Sequence, residues 1–181
     1  MDGSFGQTIS GIKNLIKYGI GVVTNTVINK LNYKDLPRLA LLVSDLDIHY
    51  VKMSFIRPLG CAERHRKQVF LRMRDAVPYV KSAAQRLIGL KRNFVIQEIP
   101  PCVMNGYTEY IRKGSKMPHI DAGRLDAGGF LQKYERGGNI KLTQCQKCSY
   151  DNICLGPWQE YVNYFGDGEF RPLNHKLLKG V

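Results

Sequence analysis

No stretch of the 181-residue chain approaches the roughly 20 apolar residues that carry a helix across a bilayer. Its first residues, Met1-Asp2-Gly3-Ser4, form neither the basic nor the apolar part of a secretory signal. These two absences lead us to expect a cytoplasmic protein with no membrane role. The chain also lacks a nucleophile elbow, a Walker loop and a dinucleotide fingerprint. Gly19-x-Gly21 has no third glycine and precedes a β-branched run instead of following one. The four histidines, His49, His65, His119 and His175, are scattered without metal-site spacing. Acidic residues are scarce: 15 Asp and Glu stand against 27 Lys and Arg, a net charge of +12. With 44% hydrophobic and 23% charged residues, the composition is nevertheless that of a globular domain, not of a disordered or collagen-like chain.

The first hundred residues alternate helix and strand. Ser4 and Gln7 have capping-box spacing, Ile9, Ile12, Leu15 and Ile16 recur at helical spacing, and Gly19 suits a left-handed stop. Ile20 to Thr24 reads as a strand covered on both faces. A second helix opens at Asn32 or Tyr33 and runs through Leu36, Leu39, Ala40 and Val43, and Ile48 to Ile56 is the next strand. Asp75 can cap a third helix, with Pro78 in its first turn and Val80, Ala84, Leu87 and Ile88 on its buried face. Phe94 to Ile99 is the third strand. This order predicts an α/β fold, a parallel sheet with helices packed outside it. Three strands are too few for a closed barrel, which takes about eight in the common type, and alone they leave two long edges unpaired. The sheet therefore reads as part of a larger one that lacks its beginning. Past Pro100-Pro101, glycines and aromatics replace the periodic segments, which places a domain boundary near residue 100. A region so rich in loops needs a staple.

Cysteines can supply it. Cys145-x₂-Cys148-x₅-Cys154 puts three thiols within reach of one centre, and Cys102, just past the last strand, is the natural fourth. In a reducing compartment such clustering points to a metal. Four cysteines suit either tetrahedral zinc or an iron–sulfur cluster, although a zinc ribbon usually shows two C-x-x-C knuckles and this chain has one. In that turn, backbone N–H groups are expected to point at the sulfurs. Two polar residues mark the C-terminal edge of the sheet, where ligands bind in such folds. Asn25 ends the first strand, either as a ligand-binding amide or as a turn residue bonding its own backbone. Arg57 ends the second, either as a clamp for a carboxylate or phosphate or as a solvated strand-end cation. Nine basic residues between 61 and 92, against Glu63 and Asp75, make either a docking surface for an acidic partner or a solvated helix face. No interleaved aromatics form a stacking platform there, so nucleic acid is not the expected partner.

Taken together, these runs resemble a known family. Gly3-Ser4-Phe5, Gly11-Ile12-x-Asn14-Leu15, Tyr18-Gly19-Ile20, Asn25-Thr26-Val27-Ile28, Asn32-Tyr33-x-Asp35-Leu36 and Phe55-Ile56-Arg57-Pro58-x-Gly60 are similar to the second half of a radical S-adenosylmethionine enzyme core. Ile99-Pro100-Pro101-Cys102, the three later cysteines with Gly156, and then Tyr161, Gly166, Glu169 and Pro172 resemble the auxiliary-cluster extensions called SPASM or twitch domains. The resemblance implies that residues 1–99 form the C-terminal half of a (β/α)₆-type barrel, a partial barrel of about three βα units. It further implies that residues 100–181 form a small, loop-rich, Cys-ligated domain. Cys102, Cys145, Cys148 and Cys154 would hold an auxiliary 4Fe–4S cluster, and Asn25 would contact S-adenosylmethionine, with Arg57 at the same cofactor-binding edge. The complete enzyme would cleave S-adenosylmethionine with one electron from a second 4Fe–4S cluster, giving a 5′-deoxyadenosyl radical that acts on a peptide or small-molecule substrate. The C-x₃-C-x₂-C loop that holds that second cluster is missing from these residues. An N-terminal half, a split subunit and an electron donor are accordingly the implied partners, and the chain alone is not expected to be active. The reading from a different class is a zinc-stapled basic module that binds nucleic acid.

Overall fold

The computed structural model describes residues 3–111 and 138–174. Helix α1 (Ser4–Lys17) leads to strand β1 (Val23–Ile28), a 3₁₀ turn and helix α2 (Leu36–Asp45), then to strand β2 (Tyr50–Phe55). Two short helices, α3 (Cys61–Arg64) and α4 (Arg66–Val69), precede the long helix α5 (Met73–Gly89) and strand β3 (Phe94–Gln97). After a series of 3₁₀ turns comes helix α6 (Gln159–Phe165). Among the described residues no helix is long and apolar enough to cross a membrane.

The strands pair in parallel in the order β1-β2-β3, with Asn25 opposite Lys52 and Ser54 opposite Gln97. Strands taken consecutively, each joined by a crossover of the same hand, leave their helices on one side. A doubly wound sheet reverses its order and is covered on both sides. Ile28, Val51, Met53, Phe55, Phe94 and Ile96 alternate along the covered face and join the apolar sides of α2 and α5 in one core. The opposite face is open at β1, where Val23, Asn25 and Val27 are exposed, and half-buried at β2 and β3. Among the described residues the first strand is therefore an edge strand with one bare face, and it starts three residues later than the β-branched run suggests. Asn25 consequently lies in mid-strand instead of at its end.

Each helix preceding a strand stops in the same way. The residue after the cap takes the left-handed conformation, at Gly19 (φ 73°), Asp47 (φ 55°) and Lys91 (φ 53°). The next N–H then bonds back to a carbonyl in the last turn, Ile20 to Leu15, Ile48 to Val43 and Arg92 to Leu87. Only the first site has the expected glycine. Arg92 also braces the end of α2, donating to Asp47 at 2.5 Å and to the Ser44 carbonyl at 2.7 Å.

Helix starts depart further from expectation. Gly3 takes the cap position of α1, so Ser4 is the helix's first residue and not its cap. Arg72 precedes α5, Asp75 is its third residue and Pro78 falls in the second turn, while Ile88 faces solvent. The cap of α5 comes from far along the chain: the Met73 N–H donates to the Tyr161 hydroxyl (2.7 Å), and the Arg74 N–H donates to Glu169 (2.8 Å). Tyr161 in turn donates to Glu169 at 2.5 Å. A carboxylate is well placed there against the positive end of the helix dipole. The region after residue 100 adds Leu142, Trp158, Tyr161 and Phe170 to the core of the sheet.

Two outcomes follow. Lys91→Gly removes the strain of a side chain in the left-handed region and should raise stability by about 1 kcal/mol; a lower urea midpoint would contradict this. Burial, then the Glu169 carboxylate, hold the Tyr161 phenol well above its ordinary range. Unfolded, it ionises near pH 10, at about the ordinary tyrosine value, so its contribution is full below that pH and declines as pH rises through it. Between about pH 9 and 11, the native chain should lose stability more steeply than Tyr161→Phe; equal slopes in denaturant titrations would refute the assignment.

Candidate metal centre

The four expected thiols share one pocket. Cys102, Cys145, Cys148 and Cys154 line a recess walled by Pro100, Pro101, Pro157, Pro172 and Phe170. Cys102 arrives on the 3₁₀ turn Pro101–Val103, where Pro100 and Pro101 direct the chain away from β3. Cys145 sits in the 3₁₀ turn Thr143–Lys147. Successive turns then wind the chain around the recess: Cys148 N–H donates to Cys145 O (2.8 Å), Asp151 N–H to Cys148 O (3.0 Å) and Cys154 N–H to Tyr150 O (2.9 Å). One backbone group that reaches a sulfur lies outside the C-x-x-C turn: Gly156 N–H donates to Cys154 Sγ at 3.2 Å. Gly156 has φ 84°, and a Cβ there would collide with the Ile140 carbonyl. None of the five cysteines is in a disulfide, and the fifth, Cys61, is exposed beside Arg64, whose guanidinium donates to its sulfur (3.1 Å).

The thiols sense one another. Burial pushes the Cys102 thiol up to about 12, and negative charge on Cys154, Cys148 and Cys145 adds to the shift. Burial likewise raises Cys154, opposed by the Gly156 N–H and the Lys141 ammonium. A bound cation reverses this balance, because it stabilises thiolates. Among the described residues, no group of three or more His, Cys, Asp or Glu is arranged to hold a metal ion. The four thiols thus surround a shared space without closing on a single point.

A latch ties this pocket to the C-terminal edge of the sheet. Arg57 is bonded within the chain: its Nε (3.1 Å) and Nη2 (2.5 Å) both donate to Glu98 Oε1, and its guanidinium lies over the Trp158 ring at 5.1 Å. Trp158 Nε1 donates to the other Glu98 oxygen at 2.9 Å. Glu98, four residues before Cys102, has φ 64°. Asn25 is bonded across the open face, where the Ser54 hydroxyl donates to its Oδ1 (2.8 Å) and lies 3.1 Å from Gln97 Oε1. One hydroxyl proton serves one acceptor, so one of the two amides turns its NH₂ toward Ser54.

Much of the basic stretch is committed too: Arg66 to Glu63, Arg72 to the Phe165 carbonyl, Lys81 to the Asn105 carbonyl and Arg92 to Asp47. His119, His175 and the glycines between 114 and 137 lie outside the described residues. Sequence reasoning missed Glu98, whose signal was a carboxylate at the strand end next to that of Arg57. It also missed Lys141, which carries no spacing signal at all.

Glu98→Ala leaves the buried indole N–H without an acceptor and should cost about 2 kcal/mol, while the ion pair, nearly half exposed at Arg57, contributes little. The denaturation midpoint checks this, and the emission of Trp158, the only tryptophan, should shift with it; an unchanged midpoint would show the latch to be idle. No protein-family model, curated protein or solved structure matches the chain.

Proposed function

We propose that this chain is the C-terminal part of a radical S-adenosylmethionine enzyme, its sheet half of a (β/α) barrel and its cysteine pocket the seat of an auxiliary 4Fe–4S cluster. One observation carries the reading: thiols from two distant stretches, Cys102 and Cys145 to Cys154, line one pocket beyond the C-terminal edge of a parallel sheet covered on one face. An all-sulfur set in a proline-walled recess fits a cluster, in which each thiolate binds its own iron around a shared core. When bound, the cluster supplies one-electron chemistry or an iron site for substrate.

The chain's own residues divide the remaining work. Asn25, Ser54 and Gln97 put hydrogen-bonding groups on the open face of the sheet, where they would meet the ribose or methionine part of S-adenosylmethionine. The Arg57–Glu98–Trp158 latch holds this edge against the cluster pocket. The free edge of β1, its bare face and the half of α1 that turns away from the core would receive the N-terminal half that brings the reactive cluster. That half would come from the same polypeptide or from a split subunit. An electron donor and a peptide or small-molecule substrate complete the expected partners.

The zinc reading is weaker on two counts. A zinc ribbon usually shows two C-x-x-C knuckles, and this chain has one. Four of the nine basic residues between 61 and 92 that would grip nucleic acid are bonded to carboxylates or carbonyls of the chain itself.

Anaerobic reconstitution with iron and sulfide should yield a brown protein with about four irons and four sulfides per chain. Cys102→Ser should lower that content, whereas Cys61→Ser should not. Tight uptake of one zinc with no iron retained would overturn the reading.

A further inference from the structure

The x₅ loop between Cys148 and Cys154 is held by a clasp. Lys141 Nζ donates to the Asp151 carboxylate at 2.8 Å and also to the Asp151 carbonyl oxygen. Both residues line the thiol pocket. Lys141 comes just before the turn that carries Cys145, so the clasp joins the chain on the two sides of the C-x-x-C knuckle. Lys141 lines this pocket together with the Cys154 thiol that closes the loop. Gly156 N–H bonds the same sulfur from the backbone. The pocket's other cation, Arg171, belongs to an exposed residue.

Resting on the cluster reading, we propose that Lys141 sets the reduction potential of the bound iron–sulfur core, with Asp151 limiting its effect. Reduction adds one negative charge to a core already surrounded by four thiolates. A cation lining the same pocket stabilises the reduced form and raises the potential, because local charge and hydrogen bonds to sulfur are what tune such centres. The Asp151 carboxylate offsets part of that charge. Lys141 and Asp151 are each about two-fifths exposed, so the effect passes partly through solvent and must weaken with salt.

The test is a dithionite titration of the reconstituted full chain, followed optically and by the paramagnetic signal of the reduced cluster. At the potential where the native protein is half reduced, Lys141→Met should be less than half reduced and Asp151→Asn more than half. Lys141→Arg should stay near half. The spread between Lys141→Met and Asp151→Asn should narrow at high salt. A purely mechanical clasp is broken by both of those substitutions, so midpoints that move together, or not at all, would overturn the proposal while leaving the cluster reading intact. If Lys141→Met fails to load, Asp151→Asn against Lys141→Arg still decides the matter: the former must titrate at the higher potential. A native chain that takes up no iron and sulfide would instead bring down the cluster reading, and this inference with it.

Discussion

A single carboxylate connects the two halves of the described structure. Glu98 stands at the end of β3, accepts from Arg57 at the end of β2 and from Trp158 at the entrance to α6, and leads within four residues to Cys102. A charged group with only 14% of its side chain exposed is stable only if its oxygens are filled, and both are. The left-handed backbone at Glu98 is a local cost that this bonding holds in place. With β2, β3 and the start of α6 fixed to one another, the stretch carrying Cys102 cannot drift away from the stretch carrying the other three thiols. The cap on α5 works in parallel, since Tyr161 and Glu169 supply the hydrogen bonds that the helix's own sequence does not.

The alternation of elements was legible because hydrophobic period is a local property. Helices at Leu36–Asp45 and Met73–Gly89 and strands at Tyr50–Phe55 and Phe94–Gln97 fall where the apolar spacing puts them. Their ends were harder to read, because ends are settled by distant partners. Asp75 lost the cap of α5 to residues more than 85 positions later, which no local pattern records. The β-branched run from Ile20 suggested a strand covered on both faces, but β1 lies at the sheet's edge, where pairing with β2 sets its limits. Left-handed stops at Asp47 and Lys91 were invisible for the opposite reason: the geometry is common, but the residue that marks it is absent.

The site shows the same division. Cys145, Cys148 and Cys154 announce themselves by spacing, and Cys102 by its place after the last strand, and the four line one recess. Arg57 was singled out with its partner unknown; the fold supplies Glu98, and so turns a possible clamp for an outside anion into an internal fastening. Gly156 makes a hydrogen bond to sulfur that the C-x-x-C turn was expected to make. In each case the ligating residue type was legible and the group that orients or tunes it was not, because orientation depends on chain segments that meet only in the fold.

The central claim is that these four sulfurs enclose one polynuclear core. X-ray absorption at the iron edge of the anaerobically loaded chain tests it most directly. The account predicts a nearest shell made only of sulfur, with neighbouring irons beyond it, and loss of part of that sulfur shell when Cys102 is replaced by serine. Isolated metal atoms without metal neighbours, or a first shell of nitrogen and oxygen, would contradict it.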